Sequence, residues 1–134
     1  MPGATPLRLD VTDPGSIAAA AEVAGDVTLL VNNAGIDTAT NLVDGDMTNI
    51  EREIETHFYG PLRLIRALRM EQGAIRKVLS AMSWFSYDGH SAYSVGKAAA
   101  WSMTNGVRLE LKGTQVPTPT WWPDSMAPRA IRRR

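Results

Sequence analysis

The 134-residue chain contains no cysteine, which excludes disulfides, zinc–thiolate sites and thiol nucleophiles. It has only two histidines, so we do not expect a metal site built from several imidazoles. Its 14 basic residues balance its 14 acidic residues, and the resulting net charge of zero creates no overall field that attracts nucleic acid. These absences exclude several common kinds of binding site before any motif is considered.

The chain also lacks an apolar run long enough to cross a bilayer, and its start, MPGATPLRLD, lacks the apolar core of a secretory signal. Hydrophobic residues make up 44% of the chain and charged residues 21%, which is the usual balance of a folded globular domain. We therefore predict a cytoplasmic protein that binds neither membranes nor nucleic acid.

Three short apolar runs alternate with three helical patterns. The predicted strands are 6–11, 27–31 and 73–80, and the predicted helices are 17–23, 48–69 and 92–111. The run at 27–31 is apolar throughout except for one threonine, which is typical of a parallel strand buried on both faces. Pro61 predicts a kink in the helix at 48–69, because proline has no backbone N–H. The alternation predicts an α/β fold with a partial parallel sheet of about three strands and three helices.

Residues 117–134 break this pattern. They hold four of the eight prolines, two of the four tryptophans and four arginines. Because proline cannot donate a hydrogen bond within a central strand, we predict an irregular segment here. We therefore place the domain at 1–116 and interpret 117–134 as a non-native tail.

The stretch SAYSVGK, at residues 91–97, contains the pair of residues with the clearest chemical meaning. Tyr93 and Lys97 are four residues apart, so on a helix they share one face. One interpretation is an amphipathic helix with an aromatic residue and a solvated cation. The other is a phenol beside an ammonium group that favours its ionised form, which suits proton exchange near neutral pH. Ser80, 13 residues before Tyr93, ends the third predicted strand and could meet the pair at the ligand crevice of a parallel sheet.

Four motifs occur in order at or just beyond the ends of predicted strands: DVTD, NNAG, Ser80 and YSVGK. Together they resemble the short-chain dehydrogenase/reductase family, over residues 7–116. The resemblance implies a Rossmann-like, doubly wound parallel sheet and hydride transfer between a nicotinamide cofactor, NAD or NADP, and a small carbonyl compound or secondary alcohol. It also implies homo-oligomers in which the two long helices pack against their copies.

The resemblance implies a role for each matching residue. Tyr93 matches the general acid/base, Lys97 the cation that makes the tyrosine more acidic and binds the nicotinamide ribose, and Ser80 the hydroxyl that orients the carbonyl. Ser83 is the alternative to Ser80, although only ten residues separate it from Tyr93. The residues that match cofactor contacts are Asp10, Val11, Asn32, Asn33, Ala34 and Gly35, together with Tyr93 and Lys97.

His57 departs from the family pattern. It occupies the position where many relatives carry an asparagine, three residues before the glycine of HFYG. The family uses this position partly through its backbone carbonyl, which holds a water that leads to the lysine. A histidine here could preserve that role, add a titrating group to the proton relay, or only face the neighbouring loop.

Two features of the family are missing from the sequence. No glycine-rich turn precedes the first predicted strand, so the phosphate cradle and the residue that selects NAD or NADP are absent. With suitable codons, the tail read two nucleotides later encodes DTDMVAGLD, a phrase similar to what relatives carry after their sixth strand, which suggests a deletion and a frameshift. We thus expect a truncated member that also lacks the C-terminal strands and has weak or no turnover by itself. The alternative function is a non-catalytic remnant that acts as an interaction or dimerisation module.

Overall fold

The structure, a computed structural model, describes residues 3–68, 70, 73–111 and 114–115. The predicted tail, 117–134, lies outside these residues. The described elements are helix α1 (Pro14–Val23), strand β1 (Leu29–Asn32), helix α2 (Met47–Ile54), a π-helical turn (Glu55–Tyr59), helix α3 (Gly60–Leu68), strand β2 (Gly73–Lys77), a 3-10 turn (Ala81–Ser83), helix α4 (Ser91–Glu110) and strand β3 (Thr114–Gln115).

The three strands form one parallel sheet in the order β1-β2-β3. In the register of β1 and β2, Leu29 is opposite Ala74 and Asn32 is opposite Lys77. The N–H of Val78 continues this pairing by donating to the carbonyl of Asn32 at 3.0 Å. The predicted parallel α/β sheet is therefore confirmed, and the two-residue strand β3 adds a pairing that the sequence did not predict.

The strand predicted at 6–11 is wrong. Residues 4–10 form no regular element, and the side chains of Leu7 and Leu9 are 46% and 41% exposed. The N–H of Asp10 donates to Ser16 Oγ at 2.9 Å instead of to a neighbouring strand. The physical reason is that a strand needs a partner along its edge, and in the described sheet β1 pairs only with β2.

The long helix predicted at 48–69 is interrupted before its proline. Asp46 caps α2 by accepting from the N–H of Thr48 at 2.7 Å, and the α-helical pattern then gives way to the π-helical turn. Pro61 has no N–H to donate to the carbonyl of His57, four residues earlier, and the N–H of Gly60 donates to Glu55, five residues earlier. The predicted break at Pro61 therefore takes the form of a π-bulge centred on His57.

The hydrophobic core lies between the sheet and helices α3 and α4. It is formed by Ile65, Met70, Ile75, Met103 and Val107. In β1, Leu30 packs against this core, whereas Leu29 and Val31 on the other face are 50% and 51% exposed. The expectation that 27–31 is buried on both faces is wrong, because only one face of β1 meets this core.

Candidate active site

The amine of Lys97 joins helix α4 to the end of strand β2. Its Nζ donates to the carbonyl of Val78 at 3.2 Å and lies 5.4 Å from the centroid of the Tyr93 ring. The Lys97 side chain is buried, whereas Tyr93 is half-buried. Burial lowers the pKa of Lys97, and the carboxylate of Glu53 opposes that effect. The two residues that the spacing placed on one helix face are therefore neighbours in space.

His57 lies against the same tyrosine. Its ring meets the Tyr93 ring edge-on, with centroids 5.3 Å apart and planes at 87°. The imidazole is completely buried, and its Nε2 lies 2.8 Å from the carbonyl oxygen of Ile36. Because that oxygen can only accept, Nε2 carries the hydrogen. Burial is the main reason why the pKa of His57 falls to about 4, so the ring is neutral at pH 7.

Glu53 is a member of this cluster that the sequence analysis missed. Its side chain is 0% exposed, and Oε1 accepts from the N–H and the hydroxyl of Thr38 at 2.6 and 2.8 Å. Its Oε2 lies 3.2 Å from Nε2 of His57. This distance suits an ion pair. Because the pKa of His57 is low, however, the contact joins the Glu53 carboxylate to a neutral imidazole at pH 7. The i, i+4 spacing of Glu53 and His57 was a signal that could have revealed the pair.

Ser80 caps the short turn that follows β2. Its Oγ accepts from the N–H of Met82 at 3.2 Å, a contact that leaves the hydroxyl hydrogen for another acceptor. Ser83, the alternative, is buried, and its Oγ has no hydrogen-bond partner among the described residues. Ser83 lines a cleft of about 300 Å³ with Val95 and Ala98, and Tyr93 is not part of that lining. The choice of Ser80 over Ser83 as the companion of Tyr93 therefore stays a prediction.

Four of the predicted cofactor contacts line one cleft. Asp10, Val11, Ala34 and Gly35 border a space of about 710 Å³, together with residues from the start of the chain and from the α2 region. The side chain and the N–H of Thr12 donate to the Asp10 carboxylate and lower its pKa. The DVTD and NNAG motifs, more than twenty residues apart in the chain, therefore meet at one opening.

Asn32, also predicted to contact the cofactor, behaves differently from its neighbours. Its side chain is 4% exposed, and neither its Oδ1 nor its Nδ2 has a hydrogen-bond partner among the described residues. Lys77 lies opposite Asn32 in the sheet. Its ammonium group is buried and also has no hydrogen-bond partner among the described residues. Burial, and then the positive charge of Lys97, lower the pKa of Lys77 to about 8. Sequence reasoning gave no signal for this buried cation.

Across the described ranges, no group of three or more histidine, aspartate and glutamate side chains is arranged to hold a metal ion. No helix in those same ranges is both long and apolar enough to cross a membrane.

Comparison with known proteins identifies the family. A sequence profile described as short chain dehydrogenase matches residues 2–127. The NADPH-dependent 1-acyldihydroxyacetone phosphate reductase of Schizosaccharomyces pombe is 30% identical over 125 residues, which cover 85% of this chain and 42% of that protein. Dehydrogenase/reductase SDR family member 7B of Bos taurus is 34% identical over 115 residues, which cover 79% of this chain and 35% of that protein.

Solved structures agree with the sequence matches. A short chain dehydrogenase from Burkholderia cenocepacia, in complex with NADP, superposes with a TM-score of 0.81 at 33% identity, over 85% of this chain and 53% of that one. A short-chain dehydrogenase from Streptomyces avermitilis gives a TM-score of 0.73 at 31% identity, over 80% of this chain and 43% of that one. The chain thus spans less than half the length of the curated relatives given above. It belongs to the short chain dehydrogenase family.

Proposed function

We propose that this chain carries the proton-transfer site of an NAD(P)-dependent oxidoreductase that interconverts a carbonyl group and a secondary alcohol. The observation that carries the proposal is the buried ammonium of Lys97, 5.4 Å from the ring of Tyr93 at the carboxyl end of a parallel strand. A family relative named for NADPH-dependent reduction supports the reaction class. A structural neighbour in complex with NADP supports the kind of cofactor.

In this proposal Tyr93 is the general acid/base. Its phenol donates a proton to the carbonyl oxygen during reduction and removes a proton from the alcohol during oxidation. The positive charge of Lys97 stabilises the phenolate that remains after donation. The hydroxyl of Ser80, whose hydrogen is not used by its contact with Met82, donates to the same substrate oxygen and orients it.

In this proposal the adenosine part of the cofactor lies in the cleft of about 710 Å³ that Asp10, Val11, Ala34 and Gly35 line. The exposed carboxylate of Asp10 is fixed by Thr12 and can accept a hydrogen bond from an adenine amine. The small residues of the NNAG motif allow the adenosine to approach the backbone, and Lys97 binds the nicotinamide ribose. When bound, the nicotinamide supplies or accepts the hydride, and both NAD and NADP are candidates.

His57 contributes to the site through packing. Its neutral ring lies edge-on to the ring of Tyr93, and its burial prevents it from binding a second proton near pH 7. We therefore propose that His57 orients Tyr93 and does not act as a titrating member of the proton relay. Its backbone carbonyl lies in the π-bulge before Pro61, where the family holds a water that leads to the lysine.

A second candidate function is that of an interaction module, including a homo-oligomer through the long helices. The cleft of about 300 Å³ favours it, because Trp84, Phe85 and Val95 around that cleft are 36%, 54% and 38% exposed. A cytoplasmic location belongs to both candidates and stays a prediction.

Cofactor titration separates the two candidates. The tryptophan fluorescence and the melting temperature of the 134-residue chain are measured with NADH and with NADPH up to about 5 mM, because ligand binding stabilises the folded state. The oxidoreductase proposal expects a saturable change with one or both cofactors, and a smaller change in Asp10→Ala. A chain that shows no response to either cofactor, but forms concentration-dependent dimers, supports the interaction module.

A further inference from the structure

Glu53 and His57 are two ionisable side chains, one helical turn apart, that are both removed completely from solvent. Burying a carboxylate is unfavourable unless hydrogen bonds or a nearby positive charge compensate. Thr38 donates twice to Oε1 of Glu53, whereas Oε2 has no hydrogen-bond partner among the described residues and faces His57 at 3.2 Å. Only one of the two carboxylate oxygens is therefore satisfied by the fold alone.

The carboxylate restricts the state of the imidazole beside it. Nε2 of His57 lies between two acceptors, the Ile36 carbonyl at 2.8 Å and Glu53 Oε2 at 3.2 Å. Both oxygens favour a hydrogen on Nε2, so Nδ1 is the unprotonated nitrogen. The ring has little room to move, because a Cβ on Gly35 would lie 2.9 Å from Cε1 and a Cβ on Gly96 would lie 3.0 Å from Cδ2. The ring thus has a fixed tautomer and a fixed position against Tyr93.

Glu53 also opposes the positive charge at the site. The charged and titratable groups that face Lys97 are Lys77 from β2, Glu53 from α2, His57 from the π-helical turn and Tyr93 from its own helix. Of these, Lys77 is a second cation and His57 is neutral. Glu53 therefore provides the negative charge that favours the protonated form of Lys97 in the absence of a phenolate.

We propose that Glu53 is a positioning residue for the Tyr93–Lys97 pair: its buried carboxylate, which accepts two hydrogen bonds from Thr38, fixes His57 against the tyrosine ring. The role of this residue in catalysis rests on the proposed function, but its effect on the two neighbours does not. Glu53 acts through His57 and Lys97 and needs no contact with a substrate.

The inference is tested by NMR on the 134-residue chain. The protein has two histidines and three lysines, so selectively labelled samples give few signals, and His90→Asn and Lys97→Met identify those of interest. In Glu53→Gln, the amide group can keep the contacts to Thr38 but turns N–H donors toward Nε2 of His57. We expect the Nε2-protonated tautomer to lose population, and the amine of Lys97 to titrate about 0.5 pH unit or more below its value in the unmutated chain.

Glu51→Gln is the matched control, because it removes the same charge from an exposed position of the same helix and should leave both signals unchanged. Glu53→Asp keeps the charge but retracts the carboxylate, so it should alter the His57 signal and largely preserve the Lys97 titration. The proposal is overturned if Glu53→Gln and Glu51→Gln give the same spectra. If Glu53→Gln does not fold, an unchanged His57 signal in Glu53→Asp overturns it equally.

These outcomes are separate from those of the cofactor titration. If the chain binds no cofactor but the Glu53→Gln spectra change as expected, the oxidoreductase proposal fails and the positioning role of Glu53 stands. If cofactor binds but the Glu53→Gln spectra do not change, the oxidoreductase proposal stands and the positioning role of Glu53 fails. Where turnover is measurable, Glu53→Gln should lower kcat about tenfold with little change in KM. The alkaline limb of the pH–rate profile of this variant should move to lower pH.

Discussion

The ring of His57 meets the ring of Tyr93 edge-on, with the centroids 5.3 Å apart. Two glycines make this contact possible: Gly35, which ends the NNAG motif, and Gly96, which precedes Lys97. Each approaches the imidazole so closely that a methyl group would collide with it. The glycines of two motifs that are distant in sequence therefore serve one purpose, which is to seat His57 beside the tyrosine.

Replacing Gly96 by alanine should destabilise the fold. An added Cβ would lie 3.0 Å from Cδ2 of His57 and 3.3 Å from the backbone oxygen of Glu53, and both of these residues are completely buried. We expect a loss of about 1–3 kcal/mol in the free energy of unfolding, despite the better helix propensity of alanine. Urea unfolding followed by tryptophan fluorescence measures this loss.

Gly106→Ala is the control on the same helix. A Cβ there would meet only Oε1 of Glu110 at 3.9 Å, an ordinary contact, so this variant should be stabilised by about 0.5–1 kcal/mol. In a His57→Ala background the loss caused by Gly96→Ala should shrink, because the ring it strikes is gone. Equal effects at Gly96 and Gly106 would contradict the proposed packing of His57.

The stability of the chain should fall as the pH drops from 6.5 to 4, and His57 should be responsible for part of this loss. Its pKa is about 4 in the folded state and 6.5 in its ordinary environment, so the unfolded chain binds the proton first. Stability that is fully present above pH 6.5 is lost as the pH approaches 4, and we expect the His57 contribution to be on the order of 2 kcal/mol. Urea unfolding at pH 7, 5.5 and 4.5 measures it.

The comparison that isolates His57 is His57→Asn, which should show a weaker acid dependence than the unmutated chain. His90→Asn serves as the control, because that half-buried ring pairs with Asp37 at 2.7 Å at the start of α4, away from the core. An acid dependence that is the same in all three proteins would show that the imidazole does not resist protonation in the folded state.

The sequence predicted the elements whose signals are local. Helix α4, predicted at 92–111 and found at Ser91–Glu110, has a long periodic pattern that requires little information from the rest of the chain. The strand predicted at 6–11 failed because strand formation depends on a neighbour that no local pattern reveals. The only sequence signal for the π-bulge was Pro61. Proline reveals that a backbone N–H is missing from the helix, but not how the helix rearranges to accommodate this.

The residues of the candidate site also divide into those with a local sequence signal and those whose position depends on the rest of the fold. Tyr93 and Lys97 could be paired from their spacing, because four residues make one helical turn. Glu53 could not be placed so easily, since a charged residue beside an apolar stripe is usually solvated, and its burial depends on Thr38, 15 residues earlier. Lys77 gave no signal at all, because its environment is created by β1, α4 and the π-helical turn together.

Lys77→Met should stabilise the chain at neutral pH. Methionine has a similar length, and it removes an ammonium that is buried without a hydrogen-bond partner among the described residues and is repelled by Lys97. We expect a gain of about 1–2 kcal/mol at pH 7, measured by urea unfolding. Arg76→Met, at an exposed position next to it, should change stability by no more than about 0.5 kcal/mol.

The pH dependence gives the same test in another form. The pKa of Lys77 is about 8 in the folded chain against an ordinary value of 10.5, so the unfolded chain holds this proton to higher pH. The contribution of Lys77 should therefore increase stability as the pH rises from 8 to 10.5, and this increase should be missing in Lys77→Met. If both proteins gain stability equally over that range, the ammonium is not the buried cation that the structure describes.

Tyr93→Phe removes only the hydroxyl that the proposed chemistry requires. The phenylalanine ring keeps the edge-on contact with His57, so we expect an unchanged fold and a cofactor titration that loses at most the contact of the hydroxyl itself. Turnover of NADPH with a panel of small ketones should fall by about 10²–10⁴-fold, because no other group at the site replaces a positioned proton donor. Ser102→Ala, at an exposed position of the same helix, should retain the activity of the unmutated chain. Turnover that persists in Tyr93→Phe, together with normal cofactor binding, would assign the proton transfer to a different group, since Lys97 and Ser80 remain in place.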